Sequence, residues 1–187
     1  RLTEYDVVIG NPPWQSQLTQ AAKKYLKQND YIVGDKQIAQ AFSIKCATIC
    51  KGNGLVCLLM PSKGLLFNRW PKSCAYRKRF FEENAVSVII NFSIYRKVLF
   101  DNATAPCTAI IYRPKKDSQD YSTITYCSPK PQYSLQDTKK FSIDPTDICA
   151  IPSDLIHDDR IWKIAMWGSP RDLELIDRIQ STYPSLE

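Results

Sequence analysis

The first 112 residues alternate between short apolar runs and stretches with helical periodicity. Tyr5-Asp6-Val7-Val8-Ile9 predicts a buried strand, closed by Gly10-Asn11-Pro12-Pro13-Trp14. Consecutive prolines end a β-ladder, so these residues form a loop at the strand's C-terminal end. Residues 15–36 are polar and predict only a short helix over 18–27. Ile38, Ala41, Phe42, Cys46 and Ile49 recur at helical spacing, and Gly52-Asn53-Gly54 is expected to close that helix and turn the chain. Residues 55–60 predict a second buried strand, ended by Pro61. Residues 71–83 predict a basic amphipathic helix with Pro71 in its first turn. Residues 86–91 and 105–112 predict two more strands. Residues 93–104 read as a loop, so these two strands are expected to pair antiparallel, the last at the sheet edge.

Alternating strands and helices are the grammar of a mostly parallel α/β sheet, here with its last strand antiparallel. A buried strand needs neighbours on both sides. One lying so close to Arg1 suggests the C-terminal part of something longer. Beyond Arg113-Pro114 the texture changes, with Pro114, Pro129, Pro131 and Pro145 spread among Ser, Thr, Asp and Lys. That stretch predicts a strand over 121–127. A closing helix, Pro170–Thr182, is expected to be capped by Ser169 with Asp172 and Glu174 in its first turns.

Composition narrows the class. Of 187 residues, 44% are apolar and 24% charged, which excludes wholesale disorder, collagen and a coiled coil. The longest apolar run, residues 54–61, is too short to span a bilayer, and no signal pattern opens the chain; a cytoplasmic protein without a membrane partner is expected. The net charge of +6 permits a polyanionic partner without demanding one. The seven cysteines contain no C-x-x-C and sit mostly in apolar stretches, which reads as buried thiols in a reducing compartment. Zinc held by Cys46, Cys50 and His157 would lack the paired short spacings of such sites, so no metal is expected.

Asn11-Pro12-Pro13-Trp14 is the candidate chemistry. In open α/β sheets ligands bind outside the carboxyl ends of the strands. The prolines stiffen the loop and leave the Pro12 carbonyl free, and the Asn11 side chain offers a second acceptor. Two rigid acceptors can hold both hydrogens of one –NH2 group, while Trp14 presents a flat face to a planar ring. Holding both N–H bonds out of plane frees the nitrogen lone pair, and the same acceptors stabilise positive charge as the nitrogen is alkylated. The alternative is a proline turn with a packed Trp.

"YDVVIGNPPW" resembles motif IV of the S-adenosylmethionine-dependent amino-methyltransferases, specifically the N6-adenine DNA methyltransferases of γ-type motif order. "AFSIKCATICKGNGLVCLLMPSKGLL" resembles their following helix and strand, and "FEENAVSVIINF" with "VLFDNATAPCTAIIYRP" their closing hairpin. "IWKIAMWGSPRDLELIDRI" resembles the segment where the target recognition domain starts in type IIG restriction–modification enzymes. The resemblance implies the C-terminal half of a Rossmann-like methyltransferase sheet over residues 1–114, followed by a less regular α+β extension over 115–187. It implies methylation of adenine N6 in double-stranded DNA, within a restriction–modification or phage-defence protein. Asn11, Pro12 and Pro13 would form the catalytic loop, Trp14 would stack on the flipped base, Phe100 would pack on it from the other side or be a core Phe at a strand start, and Phe42 would touch the adenine of the cofactor, its helical spacing reading first as helix core. Glutamine and RNA methyltransferases share the loop, and a non-catalytic DNA-binding or specificity piece is a further rival.

The family's Gly-rich cofactor turn and acidic partner are missing from this sequence. A missing N-terminal half or a partner chain would supply them, and the isolated chain is expected to be inactive. Lys23, Lys24, Lys27, Lys63, Arg69, Lys72 and Arg77-Lys78-Arg79 are candidates for phosphate contact, the last three reading first as a solvated helix face.

Overall fold

The computed structural model describes residues 4–100, 105–115, 121–130 and 142–183. Its strands are β1 (Tyr5–Gly10), β2 (Cys50–Pro61), β3 (Asn84–Asn91), β4 (Cys107–Pro114), β5 (Thr123–Cys127) and β6 (Ile148–Pro152). Its helices are α1 (Gln20–Gln28), α2 (Ile38–Ile49), α3 (Pro71–Glu83), α4 (Arg96–Leu99), α5 (Ile161–Trp167) and α6 (Pro170–Thr182). The six strands form one sheet in the order β1-β2-β4-β3-β5-β6. β1, β2, β3 and β5 run one way, and β4 and β6 run against them. The α/β class is as expected, and β4 is antiparallel to β3 as expected.

Four details depart from the sequence reading. First, β4 is not an edge strand: it lies between β2 and β3, pairing with both. Its composition suits that place, because Cys107, Thr108, Ile110 and Tyr112 are fully buried. Second, Gly52-Asn53-Gly54 is not a helix-closing turn. α2 ends at Cys50, already extended, and β2 starts there. The β1–β2 ladder steps from Tyr5↔Cys50 to Val7↔Leu55, so residues 51–54 bulge out of register. A Cβ at Gly54 would sit 2.6 Å from the Asp6 carbonyl oxygen, so the chain passes β1 only as glycine. Lys51 donates to the Asp6 carboxylate across the bulge at 2.8 Å. Third, the segment read as a loop over 93–104 contains α4; residues 101–104 lie outside the described residues. Fourth, the sheet carries on past residue 114, since β5 pairs with β3 and β6 with β5.

The core sits between the sheet and its helices. Phe80 meets Tyr112 edge-to-face at 4.9 Å, joining α3 to β4. Tyr112 also donates to the Ser43 carbonyl at 2.6 Å, which ties α2 to the same strand. Phe81 stacks on Trp162, joining α3 to α5. Arg77 is drawn into this packing: it is 3% exposed and donates to the carbonyls of Leu66 and Asn68. Of Arg77-Lys78-Arg79, therefore, only Lys78 stands out on a solvated face. Arg79 pairs with Glu83 and lies over the Tyr31 ring.

The seven cysteines are free; Cys46, Cys50, Cys107 and Cys127 are buried, and burial pushes the Cys107 thiol up to about 11. Among the described residues no helix is long and apolar enough to cross a membrane, and no cluster of three His, Cys, Asp or Glu side chains could hold a metal.

Candidate functional site

The site grows from the way β1 ends. Its last rung is Gly10↔Leu58. Pro12 and Pro13 have no N–H to continue the ladder, so the chain leaves the sheet there. β2 runs on past β1 to Pro61, paired there only with β4, and the carbonyl of Leu59, one residue past the last β1 rung, accepts the indole N–H of Trp14 at 3.2 Å. This bond folds the loop back over the end of β2. The far side of the loop is held too, because the N–H of Ile38 at the start of α2 donates to the Gln15 carbonyl at 3.2 Å.

Within this loop Pro12 is buried, Asn11 and Pro13 are exposed, and Trp14 is half-buried. The Asn11 side chain makes no hydrogen bond, and the Pro12 carbonyl takes no backbone hydrogen bond, among the described residues. Both acceptors are thus available to a ligand.

Phe100 comes to the same place from the opposite side of the sheet order. The chain leaves β3 at Asn91, forms α4, and delivers Phe100 at the helix's C-terminal end. The Phe100 and Trp14 rings meet edge-to-face, with centroids 5.1 Å apart and planes at 75°. A planar ring stacked between two aromatic faces needs about 7 Å between them, two layers of carbon contact. The pair as it stands has no such slot. Trp14 is held by the Leu59 carbonyl, so opening such a slot requires Phe100 to move.

Phe42 is elsewhere. It lies on α2, is 43% exposed, and is not part of the Trp14–Phe100 contact. Its helical spacing marks a core position, yet its ring faces outward, while Ala41, Ser43 and Ile44 on either side are buried. β1, at the end of the strand order, also presents apolar side chains: Ile9 is 78% exposed and Val7 57%.

Sequence reasoning missed the Leu59 carbonyl as the anchor of Trp14. A backbone acceptor carries no signal in residue identity, so only the register of β1 on β2 brings it to light.

Several known proteins resemble this chain. An inferred type II restriction enzyme and methyltransferase of Methanocaldococcus jannaschii is 25% identical over 159 residues, covering 83% of this chain and 12% of that protein. The type IIG restriction endonuclease BpuSI superposes with a TM-score of 0.61 at 15% identity, over 98% of this chain and 23% of that one. The type I restriction–modification methyltransferase subunit of Streptococcus thermophilus superposes with a TM-score of 0.53 at 18% identity, over 87% of this chain and 32% of that one. The chain thus spans an eighth to a third of the length of these relatives. The family model for the Eco57I restriction-modification methylase matches residues 2–99, just over half of the chain. By that match, the chain belongs to the Eco57I restriction-modification methylase family.

Proposed function

We propose that this chain carries the amine-binding part of the catalytic centre of an N6-adenine DNA methyltransferase, in a cytoplasmic restriction–modification or phage-defence protein. The observation that carries the reading is the loop itself. Two unpaired acceptors, on Asn11 and Pro12, stand beside a pinned Trp14 ring and the Phe100 ring at the carboxyl end of β1.

The target adenine leaves the duplex, because its amino group cannot be reached inside the stack. Its ring lies against Trp14, and Phe100 withdraws to cover the other face. The Asn11 side-chain oxygen and the Pro12 carbonyl accept the two N–H bonds. As the nitrogen is alkylated it gains positive charge, and these fixed acceptors stabilise that charge without reorganising. The proton leaves after transfer, so no side-chain base is required beforehand.

S-adenosylmethionine supplies the methyl group. Of the residues present, the exposed Phe42 ring fits a contact with its adenine. The described residues hold no Gly-rich turn for the remainder, which we assign to residues preceding β1 in the full-length protein or to a partner chain. β1, the end strand of the sheet order, has an edge that suits further strands, and its exposed Val7 and Ile9 suit a layer over its face. Double-stranded DNA is the partner, with Lys23, Lys24, Lys27, Lys63 and Lys72, all exposed, available to its phosphates. Residues 115–187 lead toward the target recognition module.

The test is transfer of labelled methyl groups by the natural full-length protein, with hydrolysis of the product to nucleosides. N6-methyladenine from duplex DNA is the expected product. Label in glutamine or in RNA, or no transfer at all, would overturn the reading.

A further inference from the structure

We infer that Asn91 is the positioning residue for Phe100, holding the turn that sets where this ring stands over Trp14. The inference rests on the methyltransferase reading above and names a residue that the reading does not use.

Asn91 is the last residue of β3. The Asn91 side chain is buried, and both of its ends are engaged. Its Oδ1 accepts from the Ser93 backbone N–H at 3.0 Å and from the Ser93 hydroxyl at 2.5 Å. Its Nδ2 donates to the Tyr126 hydroxyl at 2.7 Å, and that hydroxyl donates in turn to the Trp162 carbonyl of α5 at 3.4 Å. Burial pushes the Tyr126 phenol well up, so it keeps its proton and its role as donor. The Ser93 hydroxyl also lies 3.3 Å from that of Ser62, the residue after β2. One amide therefore joins the ends of β2 and β3, the strand β5 at Tyr126 and the helix α5.

What this amide holds is the start of the segment that ends in Phe100. The Phe92 N–H is fixed to the Cys107 carbonyl of β4, and the Tyr95 hydroxyl donates to the Lys130 carbonyl at 2.9 Å. Along α4 the backbone bonds are helical, Leu99 to Tyr95 and Phe100 to Arg96. α4 is a single turn and none of its residues is fully buried. With so little of it buried, such a turn takes its direction chiefly from where it departs, at residues 91–95. Satisfied polar networks of this kind specify one arrangement out of several that an apolar contact would tolerate.

Single-turnover methylation by the full-length protein, over the four combinations of Asn91→Ala and Phe100→Ala, separates positioning from general structure. Base–aromatic stacking is worth about 1–3 kcal/mol, so losing Phe100 slows transfer roughly 5- to 150-fold. Asn91→Ala is expected to slow transfer about tenfold alone and less than twofold when Phe100 is already Ala. Asn91→Asp keeps the acceptor for Ser93 and is expected to restore most of the rate. Tyr126→Phe, which leaves the Ser93 bonds in place, is the milder variant should Asn91→Ala not fold, and its loss must likewise vanish without Phe100. Equal losses in both backgrounds, or an Asp variant as slow as the Ala variant, would overturn the inference while wild-type activity upholds the methyltransferase reading. A wild-type protein that methylates no adenine would overturn that reading and the role given to Phe100 with it.

Discussion

Phe81 and Trp162 lie face to face, with ring centroids 5.6 Å apart and planes within 9°. Through this stack α5, which follows all six strands, closes over the same core as α3. Trp162 is fully buried and is also 5.9 Å from the Tyr126 ring of β5. Trp162→Ala should therefore act as a core truncation, costing about 3–5 kcal/mol. Calorimetric melting should show the transition of this sheet fall by about 10 °C. An unchanged transition would mean that α5 packs loosely on α3.

Asn11→Ala should lower turnover by roughly 100- to 1000-fold, the usual loss when one preorganised polar group at a reacting centre is removed. DNA affinity should hardly change, because it comes chiefly from phosphate contacts that the exposed Asn11 does not make in this mechanism. Single-turnover methylation and a DNA-binding isotherm read the two quantities separately. A variant that methylates at the wild-type rate would return the loop to the status of a proline turn.

Trp14 has two separable parts, a ring face and an N–H. Trp14→Phe keeps a ring and loses the bond to the Leu59 carbonyl, whereas Trp14→Ala loses both. The Ala variant should be slowed more on a duplex than on DNA mismatched at the target adenine, since a mismatch already lowers the cost of extruding the base. The Phe variant should fall between. Equal losses on the two substrates would leave Trp14 as packing alone.

The Asp158–Arg160–Asp177 cluster gives the acid side of the stability curve a testable shape. The hydrogen bond from Arg160 holds the Asp158 carboxyl below its ordinary 3.8. A depressed carboxylate contributes stability that is complete above its unfolded value and lost as pH falls through the lower folded one. Melting temperatures of wild type and Asp158→Asn, measured from pH 5 down to pH 2, should thus differ at the upper end and converge at the lower. Parallel curves would show that the pair adds nothing to folding.

How much of this was legible in sequence depended on how local each signal is. The helices over 71–83 and Pro170–Thr182 were readable to their ends, because Pro71 at the first and Ser169 with Asp172 at the second are chemical stops. The Asn11–Trp14 loop was legible for the same reason. The place of β4 was not, because periodicity reports which faces are buried and not which strands are neighbours. Neither was β6, a five-residue edge strand with Ile148 exposed. Arg77 was misjudged from its charge, although its neighbours at helical spacing, Ser73, Phe80 and Phe81, are all buried. The Trp14–Phe100 meeting needed the resemblance, since 86 positions separate the two and nothing local couples them.

The continuation of the sheet through β5 and β6 has a consequence for how such proteins exchange parts. Recombination that replaced everything after residue 114 would tear β5 from β3, take β6 with it, and leave Phe81 without its stacking partner. Cuts near Gly168, between α5 and α6, break no strand pairing, although they part Arg160 from Asp177. An exchange joined beyond Trp167 would therefore keep the six strands and α5 together.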